Sequence, residues 1–171
     1  AGTIIGSAGT AVSFQAGYAN RLIVTPGAVF QGTVQGGNTL GSGVDSTLEL
    51  ASAASTGTIA GLSARYTGFG QVTIDAGATW TFDTASTIVA DQTLTNAGSV
   101  VGSLTLGAKA RVTNAVGGTI NGDDTVGALL GGTSATGVAI RNAGLIRGTG
   151  TYGPDFTQTS RGIVLHAGGA I

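Results

Sequence analysis

The chain contains no cysteine and only one histidine, His166, among its 171 residues. The absence of cysteine excludes disulfide scaffolds, thiolate metal sites and thiol-based catalysis together. A single histidine excludes a metal site built on several imidazoles, and no GxSxG elbow is present to pair it with a serine nucleophile. Alternation with Leu165 predicts that His166 is a solvated surface residue. We therefore expect a protein that uses no cofactor.

Charged and aromatic side chains are also scarce, at 9% and 5% of the chain, whereas glycine contributes 32 residues. An ordinary globular core of large side chains is therefore not expected. Disorder is not expected either, because 42% of the residues are hydrophobic and the formal net charge is only −1. The irregular glycine spacing excludes collagen.

Long hydrophobic runs are missing as well. No stretch approaches the 18 or so apolar residues of a membrane-spanning helix, and residues 1–10 lack the basic and apolar regions of a signal peptide. We expect no membrane insertion by this segment. Because the chain begins at Ala1 rather than methionine, we also expect residues 1–171 to be one segment of a longer protein.

What the chain does contain is a degenerate glycine-rich repeat. Alternating segments that end in a small residue and glycine recur at residues 12–17, 22–27 and 72–77. Across residues 72–82, apolar side chains occupy every second position on both sides of a turn, and a period of two indicates β-strands. Strands this short are unstable as isolated hairpins and must stack. The sequence predicts an all-β fold, a right-handed parallel β-helix (β-solenoid), with about eight coils of roughly 20 residues, each made of two half-coils.

Asparagine and loop residues punctuate this repeat. Asn96, Asn114 and Asn142 each precede alanine near a glycine turn, and we expect them to bond to backbone and to stack from coil to coil. Their unequal spacing indicates that at least one coil carries an excursion. Predicted loops, which we interpret first as tolerated insertions, cover residues 35–47, 121–136 and 149–161. The third supplies the candidate ligand-contact residues, Tyr152, Asp155 and Phe156.

Residues 46–82 carry a succession of a Leu-Glu-Leu strand, a Gly-Ser loop, the aromatic residues Tyr66 and Phe69, and a VTIDAGATW strand. Together with residues 9–30 and 93–120, this succession resembles the passenger-domain repeats of bacterial autotransporters of the large adhesin type. The resemblance implies a parallel β-helix displayed extracellularly at the surface of a Gram-negative bacterium. It also implies anchoring through a C-terminal outer-membrane barrel.

Acidic residues are scattered along the chain. Asp123 and Asp124 form the only adjacent pair, and their glycine-rich turn faintly resembles calcium-binding turns of β-rolls. Such sites need a repeating turn, so we predict a solvated one without metal. Glycan cleavage needs two carboxyl groups about 5 to 10 Å apart. Asp75 and Asp83 are the pair that adjacent half-coils would bring together.

Basic residues concentrate after Ala108, at Lys109, Arg111, Arg141, Arg147 and Arg161. They predict either a solvated face or a weak basic stripe for a polyanionic surface ligand. Their density is too low for a nucleic-acid site, and no nucleic-acid partner is expected.

The repeat predicts a rod without an enzymatic site, and the resemblance implies a surface segment that acts as an adhesin or structural stalk in cell adhesion, autoaggregation or biofilm. Expected partners are a host or abiotic surface, a glycan, or the same segment on a neighbouring cell. The alternative is a carbohydrate-active β-helix enzyme, either a polysaccharide lyase or a glycosidase. Ice binding by a threonine array is a remoter alternative, because the threonines do not recur at a fixed interval.

Overall fold

A computed structural model of the chain describes residues 1–83, 86–122, 129–131, 137–148 and 162–164. All regular structure in these residues is β-strand. The strands are β1 (Thr3–Ser13), β2 (Arg21–Val24), β3 (Val29–Gln35), β4 (Thr47–Leu50), β5 (Gly57–Ile59), β6 (Tyr66–Thr67), β7 (Gln71–Ile74), β8 (Thr79–Phe82), β9 (Thr87–Ile88), β10 (Thr93–Asn96), β11 (Ser99–Val101), β12 (Leu104–Leu106), β13 (Arg111–Asn114), β14 (Thr119–Asn121), β15 (Leu129–Gly131), β16 (Ala139–Asn142), β17 (Leu145–Arg147) and β18 (Ile163–Val164).

The strands form four parallel sheets. Sheet A has the order β1-β3-β6, sheet B has β2-β4-β7-β10-β13-β16, sheet C has β5-β8-β11-β14-β17, and sheet D has β9-β12-β15-β18. Each strand thus pairs with its counterpart one coil further along the chain, which is a β-solenoid of about six turns. The expected all-β solenoid is confirmed. The division into two half-coils is wrong, because each described coil from β7 onward contributes one strand to each of sheets B, C and D.

Coil length varies while strand register does not. The first residues of successive sheet B strands pair as Arg21, Thr47, Gln71, Thr93, Arg111 and Ala139. The coils are therefore between 18 and 28 residues long, and several exceed the expected 20. Longer coils explain why there are about six turns rather than eight.

The excursions lie between strands. The predicted loop at residues 35–47 is confirmed apart from its two end residues, which belong to β3 and β4. The prediction for residues 121–136 is wrong in part, since Asn121 ends β14 and Leu129–Gly131 form β15. The predicted loop at 149–161 lies outside the described residues.

The core is built from the alternate, inward-facing residues. Val72, Ile74, Ala78, Trp80 and Phe82 are all buried, as their two-residue alternation predicts. Two of these inward positions carry large aromatic rings, although aromatic residues are only 5% of the chain. Trp80 donates through Nε1 to the carbonyl of Ala51 at 3.1 Å. Its ring lies against Gly57, where a Cβ atom would come within 2.5 Å of it.

Asparagines continue the inward-facing positions toward the last described coils, and two of them, Asn96 and Asn114, are buried. Asn96, Asn114 and Asn142 pair in register at the ends of β10, β13 and β16. Asn96 Nδ2 lies 2.8 Å from Asn114 Oδ1, and Asn114 Nδ2 lies 2.8 Å from Asn142 Oδ1. The predicted stacking is confirmed, and we call these three residues the asparagine ladder.

A second polar cluster holds the loop between β3 and β4. Asn38 accepts a hydrogen bond from the amide of Gly17 and donates to Ser46 Oγ, at 2.8 Å in each case. Ser46 Oγ donates in turn to the carbonyl of Gly36 at 2.6 Å. Across the described residues, no buried side-chain nitrogen or oxygen lacks a hydrogen-bond partner. The buried polar side chains therefore stabilise the solenoid, because each of them is hydrogen-bonded.

Candidate functional site

The outward side chains of sheet B form two rows that run along the solenoid, and we call this surface face B. It is polar along almost its whole described length. Neighbouring positions within a row are separated by one coil, about 4.8 Å. The first row is Arg21, Thr47, Gln71, Thr93, Arg111 and Ala139, and the second is Ile23, Glu49, Thr73, Thr95, Thr113 and Arg141.

One end of face B carries a charge cluster on three successive coils. Arg21 Nε and Nη2 both donate to Glu49 Oε2, and the Nε distance is 2.7 Å. This is the one ion pair within the described residues. Asp75 follows β7 on the next coil. Burial is the main cause that raises the pKa of Asp75, repulsion from Glu49 raises it further, and attraction to Arg21 opposes both.

The carboxylate that influences Asp75 is therefore Glu49, and not Asp83 as the half-coil reading suggested. Asp83 follows β8, and its carboxylate binds the backbone of the preceding coil. Its two carboxylate oxygens accept hydrogen bonds from the amide of Gly61 at 3.0 and 3.1 Å, and one of them also accepts from Ser86 Oγ at 2.7 Å. These contacts make Asp83 a turn-closing residue.

The middle of face B is a patch of hydroxyl groups. Thr73, Thr95 and Thr113 lie opposite one another on three successive coils, and Thr93 lies beside Thr95 in the other row. The expectation that the threonines form no regular array is wrong for these residues. Their spacing along the sequence is unequal, but they are aligned in the folded chain. The turns absorb the differences in coil length, so the strand positions coincide.

The opposite end of face B is basic. Arg111 begins β13, and Arg141 is the third residue of β16, directly opposite Thr113. Lys109 lies in the turn before β13 with a φ of 57°, and its Cγ would be 3.7 Å from a Cβ atom at Gly137, in the turn before β16. All three cationic side chains are exposed. We call Lys109, Arg111 and Arg141 the basic end.

Of the five residues of the predicted basic stripe, the structure places three together at the basic end. Arg147 lies on β17 in sheet C, where its Nε donates to Asn121 Oδ1 at 2.7 Å. Arg161 lies outside the described residues. Sequence alone missed this division because it depends on which sheet each strand joins.

A shallow concave surface of about 650 Å³ lies at the basic end. Its lining includes Thr113, Asn114, Arg141 and Asn142. The rest of its lining is apolar, from Ala115, Ile140 and Ala143, so the surface combines a guanidinium, a hydroxyl and amide groups with aliphatic side chains.

The remaining candidate residues lie outside the described part of the chain. These are the expected ligand-contact residues Tyr152, Asp155 and Phe156, together with His166 and the Asp123-Asp124 pair. Within the described ranges, no group of three or more histidine or acidic residues is placed to hold a metal ion.

The described strands and turns include no helix long and apolar enough to cross a membrane. Comparisons of the chain with protein-family models, with curated proteins and with solved structures found no match.

Proposed function

We propose that this chain is an extracellular segment of a bacterial autotransporter passenger domain, acting as an adhesin or structural stalk in cell adhesion, autoaggregation or biofilm formation. The observation that carries the proposal is the continuity of face B. Six strands in register present polar side chains along one side of the solenoid. Such a surface offers a continuous series of polar contacts to an extended partner, and solenoid proteins commonly bind through extended surfaces of this kind.

The use of polar side chains within the solenoid supports this proposal. Asp45 accepts a hydrogen bond from Gln71 at 3.0 Å, and Gln92 donates to the carbonyl of Phe69 at 2.8 Å while accepting from Ser63 at 3.0 Å. Each of these contacts joins segments of the chain more than 20 residues apart. These polar side chains hold neighbouring coils together, as a structural stalk requires.

The test is to display the chain, with an N-terminal epitope tag, on a non-aggregating bacterium through an outer-membrane carrier. Cells that display it should settle faster, or adhere more to polystyrene or immobilised glycoproteins, than cells with the carrier alone at equal tag density. Unchanged settling and adhesion on every surface would contradict the adhesin role. A tag that antibodies cannot reach on intact cells would contradict the stalk role.

Glycan cleavage is a second candidate, favoured by the position of Glu49 and Asp75 on adjacent, register-paired coils and by the repulsion that raises the pKa of Asp75. A general acid with a raised pKa beside a second carboxylate is the arrangement that glycosidases use. The purified chain would be incubated with pectin, alginate and glycosaminoglycans, and new reducing ends would be counted. Depolymerisation that is lost in both Glu49→Gln and Asp75→Asn would establish this function in place of passive adhesion.

A further inference from the structure

We propose that the basic end of face B, formed by Lys109, Arg111 and Arg141, is a binding site for a linear glycan that carries sulfate or carboxylate groups. The proposal deepens the adhesin function and rests on it for its biological setting. Its chemistry rests only on the side chains of sheet B and can be tested separately.

The first argument is that the two guanidinium groups are unused. The other arginines in the described ranges each donate to a protein acceptor: Arg21 to Glu49, Arg65 to the carbonyl of Phe30 at 2.7 Å, and Arg147 to Asn121. The guanidinium groups of Arg111 and Arg141 have no hydrogen bond or ion pair with any described residue. Their donors are therefore free for a ligand from solution.

The second argument is their arrangement. Arg111 lies opposite Ala139, and Arg141 lies opposite Thr113, so the two arginines are diagonal neighbours on adjacent coils. Strand geometry places their Cα atoms about 8 Å apart. The residues paired with them are Ala139 and Thr113, which are both small, so no bulky side chain separates the two guanidinium groups. A planar guanidinium binds sulfate or carboxylate in a bidentate manner, which fixes ligand orientation.

The third argument concerns the surrounding charges. Glu49, on face B, and Asp75, which directly follows β7, lie at the other end of the face, at least two coils or about 10 Å from Arg111. Asp91 occupies the turn before β10, which is the place that Lys109 occupies before β13. It makes no ion pair with Lys109 but reduces the local positive charge. We therefore assign the main contribution to the two arginines and a smaller one to Lys109.

The neutral neighbours favour a glycan over a nucleic acid. Single strands bind through aromatic side chains on which bases stack, and neither row of face B contains an aromatic residue. Duplexes need several phosphate contacts, and the basic end supplies only three cations. Thr93, Thr95 and Thr113, the members of the hydroxyl patch nearest Arg111, instead offer donors and acceptors for the hydroxyl groups of sugars.

The experiment is calorimetric titration of the full chain with heparin oligosaccharides, alginate oligosaccharides and neutral dextran. We expect binding to heparin, alginate or both, no binding to dextran, and an affinity that falls as salt is raised. The double variant Arg111→Gln/Arg141→Gln should bind at least about tenfold more weakly, because two charge-assisted contacts are lost.

Matched controls keep the assignment specific. Arg21→Gln changes an arginine at the other end of face B, and Arg147→Gln changes one on sheet C. Each control should keep the wild-type affinity within about twofold, and far-UV circular dichroism should show that all variants retain the β-fold. Equal weakening in the controls, no binding of the wild type to either charged glycan, or equally tight binding of an oligothymidine would overturn the proposal.

The outcomes also separate this inference from the proposed function. Glycan binding that depends on the two arginines, without adhesion of displaying cells, would retain the site and refute the adhesin role. Adhesion that persists in the double variant, without measurable glycan binding, would retain the adhesin role and refute the glycan site.

Discussion

Asn96 Nδ2 donates a 2.8 Å hydrogen bond to Oδ1 of Asn114, which lies 18 residues later in the chain and one coil along the solenoid. Asn114 makes the same contact with Asn142, although 28 residues separate them. The same register position holds Val24, Leu50 and Ile74 in the earlier coils. Coil length therefore changes in the turns, while each strand position keeps its side chain aligned with the next.

We predict that Asn114→Ala lowers the free energy of unfolding by about 2 to 4 kcal/mol, because the buried Asn96 amide and Gly118 carbonyl lose the partner that Asn114 provides. Asn114 accepts from Asn96 and donates to Asn142 and to the carbonyls of Gly118 and Leu145. Urea unfolding at equilibrium measures the change.

Asn142→Ala is the matched control, since Asn142 is the exposed end of the ladder. Water can replace its contacts, and we expect a loss of about 1 kcal/mol or less. An equal loss in both variants would show that burial of the ladder is not what makes it stabilising.

The contact between Gly57 and Trp80 gives a second prediction. A Cβ atom at Gly57 would lie 2.5 Å from the indole ring, so Gly57→Ala should destabilise the chain by about 1 to 3 kcal/mol through overpacking. Trp80→Leu should cost a similar amount by leaving a cavity. The double variant should lose less than the sum of the two, because each change relieves the other. Strictly additive losses would contradict this packing.

The raised pKa of Tyr66 should make the fold lose stability at alkaline pH. Burial raises the pKa of its phenol above 10.0, and Arg65 offsets this only in part. The preference for the neutral phenol is fully present below pH 10.0 and is lost as pH rises through the folded-state pKa. Urea midpoints measured across this range should fall less in Tyr66→Phe than in the wild type. Parallel pH profiles would contradict the prediction.

The raised pKa of Asp75 should make the stability of the fold depend weakly on pH in the acid range. Burial first, and then Glu49, raise the pKa of its carboxyl group above 3.8. The protonated form is therefore favoured in the fold, and that stability is fully present below pH 3.8 and is lost as pH rises through the raised pKa. Asp75→Asn should be more stable than the wild type at neutral pH, by less than about 1 kcal/mol because the group is solvated. The difference should vanish below pH 3.8, and a constant difference would contradict this origin.

The fold was largely predictable because strand alternation is a local signal. The residues from Val72 to Phe82 show which side chains face inward, and the recurring Asn-Ala segments mark equivalent turns. The number of strands per coil was not predictable, since it depends on how segments such as Thr87–Ile88, only two residues long, join a sheet. Burial of Trp80 required glycine at position 57, which is a contact between coils and not a sequence pattern.

The site was less predictable for the same reason. Arg111, Arg141 and Arg147 are similar in sequence terms, yet coil register places the first two on face B and the third on sheet C. Asp75 lies near Glu49 only because the coil between them is in register. A partial signal for the basic end does exist in the sequence, because Arg111 lies three residues before Asn114 and Arg141 lies directly before Asn142, so both precede an asparagine of the ladder.

All properties assigned to face B depend on the register of its strands, and the absence of cysteine allows a direct measurement. Thr73 and Thr95 lie opposite each other on neighbouring coils, whereas Thr93 lies two residues away from Thr95 along the same strand. Opposed Cα atoms about 4.8 Å apart are within the range of a disulfide, and diagonal ones about 8 Å apart are not. After mild oxidation, mass spectrometry should find a cross-link in Thr73→Cys/Thr95→Cys and none in Thr73→Cys/Thr93→Cys. Cross-linking in the second pair but not the first would contradict the register and, with it, the continuous face.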